Sequence, residues 1–266
     1  MPFKFAYSTI RWRKPDLEAA LANVKKAGWD GWEGRLPLDH LGTSTHLRRI
    51  CQNIGLPLVV LSSDGPPERR DTEHVERNKR RIDYAAEMEV DCFMTIGGSR
   101  SKGVRVTEDD LRRVAEGAEV WADYASQYAL EVCYHIHTNT LVDSKADLAF
   151  FMQQVEKTRL CIDVSHAELW GYDPSNAIRD YRNALNYVHL QDFASSSREE
   201  DGTYIVTWAD VGKAQNVDFP VVLSTLEEIG FKRWITCCPG EPLLDDPCSD
   251  ARRSKGMREY LRKLGY

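Results

Sequence analysis

Between residues 130 and 191 the chain reads LEVCYHIH (130–137), SKADLAFFMQQV (144–155), LCIDV (160–164) and, past a further polar stretch, YVHLQ (187–191). The first, third and fourth are short runs rich in β-formers, and the second has the length and mixed polarity of an amphipathic helix. Strand, helix, strand is the signature of parallel pairing, because parallel neighbours need a crossover between them. The alternation continues outward. Strand-like runs recur at 3–7, 31–35, 57–61, 92–96 and 234–238, which brings the count to eight. Eight such units are what a closed barrel needs.

The segments between them behave as helices. Residues 16–27 place Leu17, Ala20, Leu21 and Val24 on one stripe and end before Gly28, a residue suited to a left-handed helix stop. Residues 107–128 open on Thr-Glu-Asp-Asp, close to a capping box, and set Leu111, Val114, Ala118, Trp121 and Ala122 at helical spacing. Residues 219–229 form a shorter version before Gly230, and the strongly charged 73–88 is expected on the outside with a solvated face. The turn-rich stretches 62–68 and 194–202 read as loops after strands. No repeat, linker or shift of composition divides the chain, so the expected fold class is α/β, a single (β/α)8 TIM barrel over residues 1–266. Its chemistry is expected at the strand ends, where the loops of the C-terminal face gather.

Composition narrows the function. With 266 residues, 42% hydrophobic and 10% aromatic, the chain can bury a large core, and disorder is excluded. No apolar run approaches the roughly 20 residues of a membrane helix, and the N-terminus has no apolar leader. A cytoplasmic protein with no membrane partner is expected. Lys and Arg number 35 against 41 Asp and Glu, a net charge of -6, so nucleic acid is not an expected partner. The seven cysteines are odd in number and contain no C-x-x-C pair, which reads as reduced, mainly buried thiols.

Four of the seven histidines, His135, His137, His166 and His189, fall at or just past the ends of successive strands. A single histidine there is more often a hydrogen-bonded rim residue than a ligand; the cluster is what points to a metal. His135 and His137 share a strand face with Cys133. Asp163, at the end of an apolar run, is costly to bury unless paired or ligated. His135, Asp163 and His189 therefore stand as candidate metal ligands, a mixed N/O set for Mn²⁺, Co²⁺, Fe²⁺ or Zn²⁺. His137 and His166 are candidates for a supporting or substrate-contacting role, and His40, His46 and His74 carry none. Trp170 could stack on a ligand face, Arg100 lies in the cationic loop 97–105 that could receive an anion, and Glu33 reads as an inward carboxylate at the mouth.

These residues resemble a known family. Tyr134-His-Ile-His-Thr-Asn-Thr140, Ile162-Asp-Val-Ser-His166, Gly171-Tyr-Asp-Pro174, Tyr187-Val-His-Leu-Gln-Asp192, Val217-Asp-Phe-Pro220, Gly230-Phe-Lys-Arg-Trp-Ile235 and, upstream, Gly28-Trp-Asp-Gly-Trp-Glu33 are similar to motifs of the sugar phosphate isomerase/epimerase superfamily, xylose-isomerase-like barrels, and within it to the inosose dehydratase branch. The resemblance implies one divalent metal, Mn²⁺ first with Co, Fe, Zn or Mg as alternatives, held by a Glu/Asp/His/Glu set. It carries over directly to Asp163 and His189. The fifth-strand glutamate falls at His135 and the eighth-strand glutamate near Cys238, with Glu241 three residues later. Loss of both carboxylates weakens a two-glutamate epimerase. The expected function is a lyase that abstracts a proton beside the carbonyl of a keto-sugar or keto-cyclitol and eliminates across the adjacent bond. His137, His166 and Glu241 are its proton-transfer candidates, in an open order. A ketose isomerase or epimerase and a non-catalytic binding barrel are the alternatives. A small sugar or cyclitol is the expected partner, and a homo-oligomer is left open.

Overall fold

A computed structural model of the chain describes residues 3–13, 15–241 and 247–266. Its strands in chain order are β1 (Lys4–Ser8), β2 (Gly31–Gly34), β3 (Leu58–Ser62), β4 (Cys92–Ile96), β5 (Glu131–His135), β6 (Arg159–Asp163), β7 (Leu185–Leu190), β8 (Asp192–Arg198), β9 (Tyr204–Ala209) and β10 (Trp234–Cys237). Strands β1–β7 and β10 are parallel and close into a barrel, β10 sitting between β7 and β1. This is the expected eight-stranded barrel. The helices are α1 (Leu17–Ala27), α2 (Leu38–Leu41), α3 (Ser44–Ile54), α4 (Thr72–Glu87), α5 (Glu108–Ser126), α6 (Lys145–Gln154), α7 (Val164–Leu169), α8 (Pro174–Asp180), α9 (Phe219–Glu228) and α10 (Pro247–Lys263). Among the described residues no helix is long and apolar enough to cross a membrane.

Local chemistry sets the element ends. Asp16 caps α1 by accepting from the Ala19 N–H, and Gly28 stops it at φ +97°, a conformation that a Cβ would strain. Thr107 and Asp110 form the capping box of α5. Strand β6 passes into α7 with no loop, because the Asp163 side chain accepts from the N–H groups of Ser165 and His166 and caps the helix itself. The strand therefore ends one residue before the expected 164.

One large core lies between the strands and the helices, with Trp29, Trp32, Phe93, Trp121 and Phe151 among its largest buried side chains. A smaller one fills the barrel: Ala6, Val60, Cys92, Met94, Cys133, Cys161, Tyr187 and Trp234. The cysteines at 51, 92, 133, 161, 237 and 238 are free and buried, as expected; the Cys248 side chain lies outside the described residues.

One expectation is corrected and another is extended. Residues 194–202 are not simply a loop: β8 and β9 pair antiparallel as a hairpin that leaves the barrel after β7, with its turn at 199–203. Helix α4 is not merely a solvated exterior helix, for it buries His74, Asn78 and Arg81. Arg81 donates to the Ser62 and Leu36 carbonyls at 2.8 and 3.2 Å, and Asn78 binds both the N–H and the C=O of Asp64. These charged and polar groups satisfy loop backbone that would otherwise be buried without partners.

Candidate active site at the barrel mouth

Inward-facing residues from four strands meet at one end of the barrel: Glu33 on β2, His135 on β5, Asp163 on β6 and His189 on β7, joined by Cys238 just past β10. All are buried. Asp163 and His189 are register partners, and Thr236 faces His189 from the other side.

His189 is held from behind. Its Nε2 lies 2.5 Å from Glu33 Oε2, and Glu33 also accepts from Tyr187 Oη at 2.9 Å, Ser8 Oγ at 2.7 Å and Arg35 Nε at 2.7 Å. Burial works against the charge of Glu33, but Arg35 and His189 outweigh it and hold the carboxyl well below the usual range. A carboxylate behind a histidine fixes its tautomer and its ring. Nε2 therefore carries the hydrogen, and Nδ1 faces Asp163 Oδ2 at 3.7 Å and Cys238 Sγ at 3.4 Å.

The two oxygens of Asp163 do different work. Oδ1 accepts from Ser165 N at 3.0 Å, Ser165 Oγ at 2.6 Å and His166 N at 3.5 Å. Oδ2 faces His135 Nε2 at 3.3 Å, His189 Nδ1 at 3.7 Å and His166 Nε2 at 3.9 Å. The last two distances are too long for hydrogen bonds. The 3.3 and 3.7 Å spacings of His135 and His189 from Oδ2 suit donors around one ion, because arms of 2.0–2.3 Å in a tetrahedron leave edges of roughly 3.3–3.8 Å; the 3.9 Å of His166 lies beyond them. Burial pushes the His135 pKa down to about 3, so its imidazole is neutral and able to donate a lone pair. His135 Nδ1 and His166 Nε2 are buried with no hydrogen-bond partner. Asp163, His189 and Cys238 form one group with spacing that could hold a metal, and His135, Cys161 and His189 form another. The residues present thus fit a divalent ion.

Beside these donors, His137 and His166 lie with ring centroids 3.9 Å apart and planes tilted by 39°. Thr138 orients both through its backbone. Its N–H donates to His166 Nδ1 at 3.1 Å, and its carbonyl lies 2.7 Å from His137 Nδ1. An N–H can only donate and a carbonyl only accept. Neutral His166 therefore carries its hydrogen on Nε2, whereas His137 carries its own on Nδ1 and leaves Nε2 as a lone pair. Burial lowers the pKa of both rings. His137 lines a cleft of about 460 Å³ together with Thr138, Asn139, Tyr204 and Trp208, and the Trp208 ring stands 5.0 Å from His166. Hairpin β8–β9 thus forms one wall over the histidines. Asn139 ties it down, its amide exchanging two 2.8 Å hydrogen bonds with the Tyr204 backbone.

Of the residues expected at the site, His135, Asp163 and His189 converge, with His137 and His166 beside them. Glu33 stands behind His189 with both oxygens engaged, rather than open to a substrate. Glu241 turns outward: its side chain is 43% exposed and lies 3.5 Å from Arg11. Trp170 and Arg100 meet on a third residue, Asp143, at 3.1 and 3.5 Å. Trp170 also lines a second cleft, of about 510 Å³, on the other flank of the hairpin with Arg198 and Asn216. Burial pushes the Asp143 carboxyl up to about 6. Asp143, Tyr187, Arg35 and Thr138 escape a reading of the sequence. The place of Tyr187 on β7, next but one to His189 on the same face, is the single signal among them; Thr138 meets the two rings through its backbone N–H and carbonyl, with its hydroxyl also 3.1 Å from His166 Nδ1.

Comparison with known proteins agrees with this architecture. An inosose dehydratase of Klebsiella pneumoniae (strain 342) is 29% identical over 173 residues, 59% of this chain and 56% of the relative. The rhizopine catabolism protein MocC of Rhizobium meliloti is 23% identical over 88% of this chain and 81% of the relative. The chain spans about half the length of the inosose dehydratases it matches. Among solved structures, L-ribulose 3-epimerase superposes with a TM-score of 0.76 at 17% identity, over 99% of this chain and 94% of that one. AsbF of Bacillus anthracis, described as a probable 3-DHS dehydratase, superposes at 0.75 and 12% identity, over 98% and 99%. These likenesses establish the fold. Residues 21–264 match the family described as xylose isomerase-like TIM barrel, and the chain belongs to that family.

Proposed function

We propose that the chain is a divalent-metal-dependent dehydratase of a keto-sugar or keto-cyclitol. It would act as a soluble cytoplasmic enzyme on a small free substrate. The observation that carries this reading is the pair His137 and His166, fixed in opposite tautomers by Thr138 beside the donors His135, Asp163 and His189. β-Elimination needs one group to take a proton and one to assist a leaving hydroxyl. His137 Nε2, a lone pair on the cleft wall, takes the proton beside the carbonyl. The C–H electron pair becomes the new C=C bond as the β C–O bond breaks. His166 Nε2–H hydrogen-bonds the departing oxygen, as a neutral imidazole can; the proton held by His137 passes to that oxygen, which leaves as water with both rings neutral again. A bound divalent ion supplies Lewis acidity toward the carbonyl oxygen. The similarity to inosose dehydratases supports a cyclitol as the substrate class.

An isomerase or epimerase would ask Glu33 or Glu241 for a carboxylate beside the substrate. Glu33 is fully buried with both oxygens engaged, and Glu241 pairs with Arg11, so neither supports it. The test is to give metal-loaded protein a panel of keto-inositols and keto-sugars in deuterated water. Appearance of an enone-like absorbance is expected. Deuterium uptake without absorbance would replace the dehydratase by an epimerase, and neither signal would leave a binding barrel.

A further inference from the structure

Cys237 and Cys238 are adjacent, but the strand pleat sends them to opposite sides. Cys237 packs into the core outside the barrel. Cys238 continues the register of β10, its N–H donating to the Leu190 carbonyl at 2.9 Å, and puts its sulfur inside, 3.4 Å from His189 Nδ1. Its side chain is 1% exposed. The ligand atoms of Asp163, His189 and Cys238 all lie within 4.8 Å of one another.

We propose that Cys238 is a metal ligand, and that its sulfur turns the site toward Zn²⁺ and Co²⁺ and away from Mn²⁺ and Mg²⁺. This rests on the proposed metal dependence and names the metal class. The argument is one of ligand softness: thiolates favour the borderline ions, while an all-oxygen and imidazole site leaves room for Mn²⁺. Binding forms one metal–sulfur bond and releases the thiol proton to solvent, with no change of oxidation state. Cys161 is the other sulfur near His189, but it belongs to the level below. It pairs in register with His135 and Tyr187, whereas Asp163 pairs with His189 itself. The group containing Cys161 includes no carboxylate.

The experiment loads purified full-length chain with Co²⁺ and records its absorption, then measures Zn²⁺ and Mn²⁺ affinities by competition. Wild type, Cys238→Ser, Cys238→Asp and Cys161→Ser are compared, with circular dichroism confirming that each is folded. A sulfur-to-cobalt charge-transfer band is expected in wild type and Cys161→Ser and absent in both Cys238 variants. Zn²⁺ outbinds Mn²⁺ at almost any such site, so the ratio alone decides nothing; its fall by at least about tenfold in Cys238→Asp does. Metal binding with no charge-transfer band, or a band lost in Cys161→Ser and kept in Cys238→Ser, overturns the assignment of Cys238 and leaves the dehydratase reading standing. A wild type that takes up none of the three metals overturns both. If the Cys238 variants do not fold, the band in wild type and its persistence in Cys161→Ser still decide the matter.

Discussion

His137 and His166 lie with ring centroids 3.9 Å apart and planes tilted by 39°, and meet Thr138 with opposite hydrogen-bonding roles. Two histidines of the same type thereby acquire different chemistry from a single residue's backbone. His137→Ala should abolish solvent deuterium exchange and product formation together, and His166→Ala should lose product while keeping exchange. Each should lower kcat by about 10²- to 10⁴-fold. Equal loss of exchange in both variants would show that the roles are not divided in this way.

Glu33 reaches its partner His189 from the opposite side of the barrel, and Glu33→Gln keeps the shape but removes the charge. Metal affinity should fall by roughly 10- to 100-fold, as it does when partners behind a ligating histidine are weakened. Asp163→Ala and His189→Ala should lose the metal altogether. Elemental analysis and competition titration distinguish these outcomes, and unchanged affinity in Glu33→Gln would mean that the carboxylate serves folding alone.

Asp143 gives the molecule a stability term with a defined pH window. Its carboxyl is raised to about 6 by burial, against about 3.9 in an unfolded chain. The folded state holds the proton more tightly, so this group contributes stability that is complete below about pH 4 and gone above about pH 6. Asp143→Asn stays neutral and still accepts from Trp170. Its Tm should exceed that of wild type near pH 8 and match it near pH 4; a gap that is the same at both values would refute the assignment.

Gly117 sits inside α5, where replacement by alanine ordinarily gains up to about 1 kcal/mol. Here an added Cβ would lie 2.0 Å from the Pro67 carbonyl oxygen. Overpacking against backbone costs about 1–3 kcal/mol. Gly117→Ala should therefore destabilise, measured as a lower midpoint in urea, and a higher midpoint would mean that the 62–68 loop yields freely.

The barrel was legible because its strands announce themselves locally. The run at 92–96 is largely apolar on both faces, that at 130–135 is apolar on the face of Leu130, Val132 and Tyr134, and Gly28 and Thr107 mark helix ends by their own chemistry. That His135, Asp163 and His189 meet at the barrel mouth was legible for the same reason, each closing a run. Hairpin β8–β9 was hidden by its first arm, where Ser195-Ser-Ser-Arg198 offers no apolar alternation and faces solvent; the β-formers Tyr204-Ile-Val-Thr-Trp208 were the signal available. The inward position of Glu33 was legible but its partner was not, since the histidine that claims it lies 156 residues away. Asp143 gathers Trp170 and Arg100 from two separate loops, a meeting that only the closed barrel creates.

Asp163 spends one oxygen on the first turn of α7 and the other on the histidines. Mild heating that frays this turn would swing the carboxylate out of the donor set while the remaining strands stay intact. Thermal inactivation should then precede global melting, with release of the ion and loss of the α7 cap as a single event.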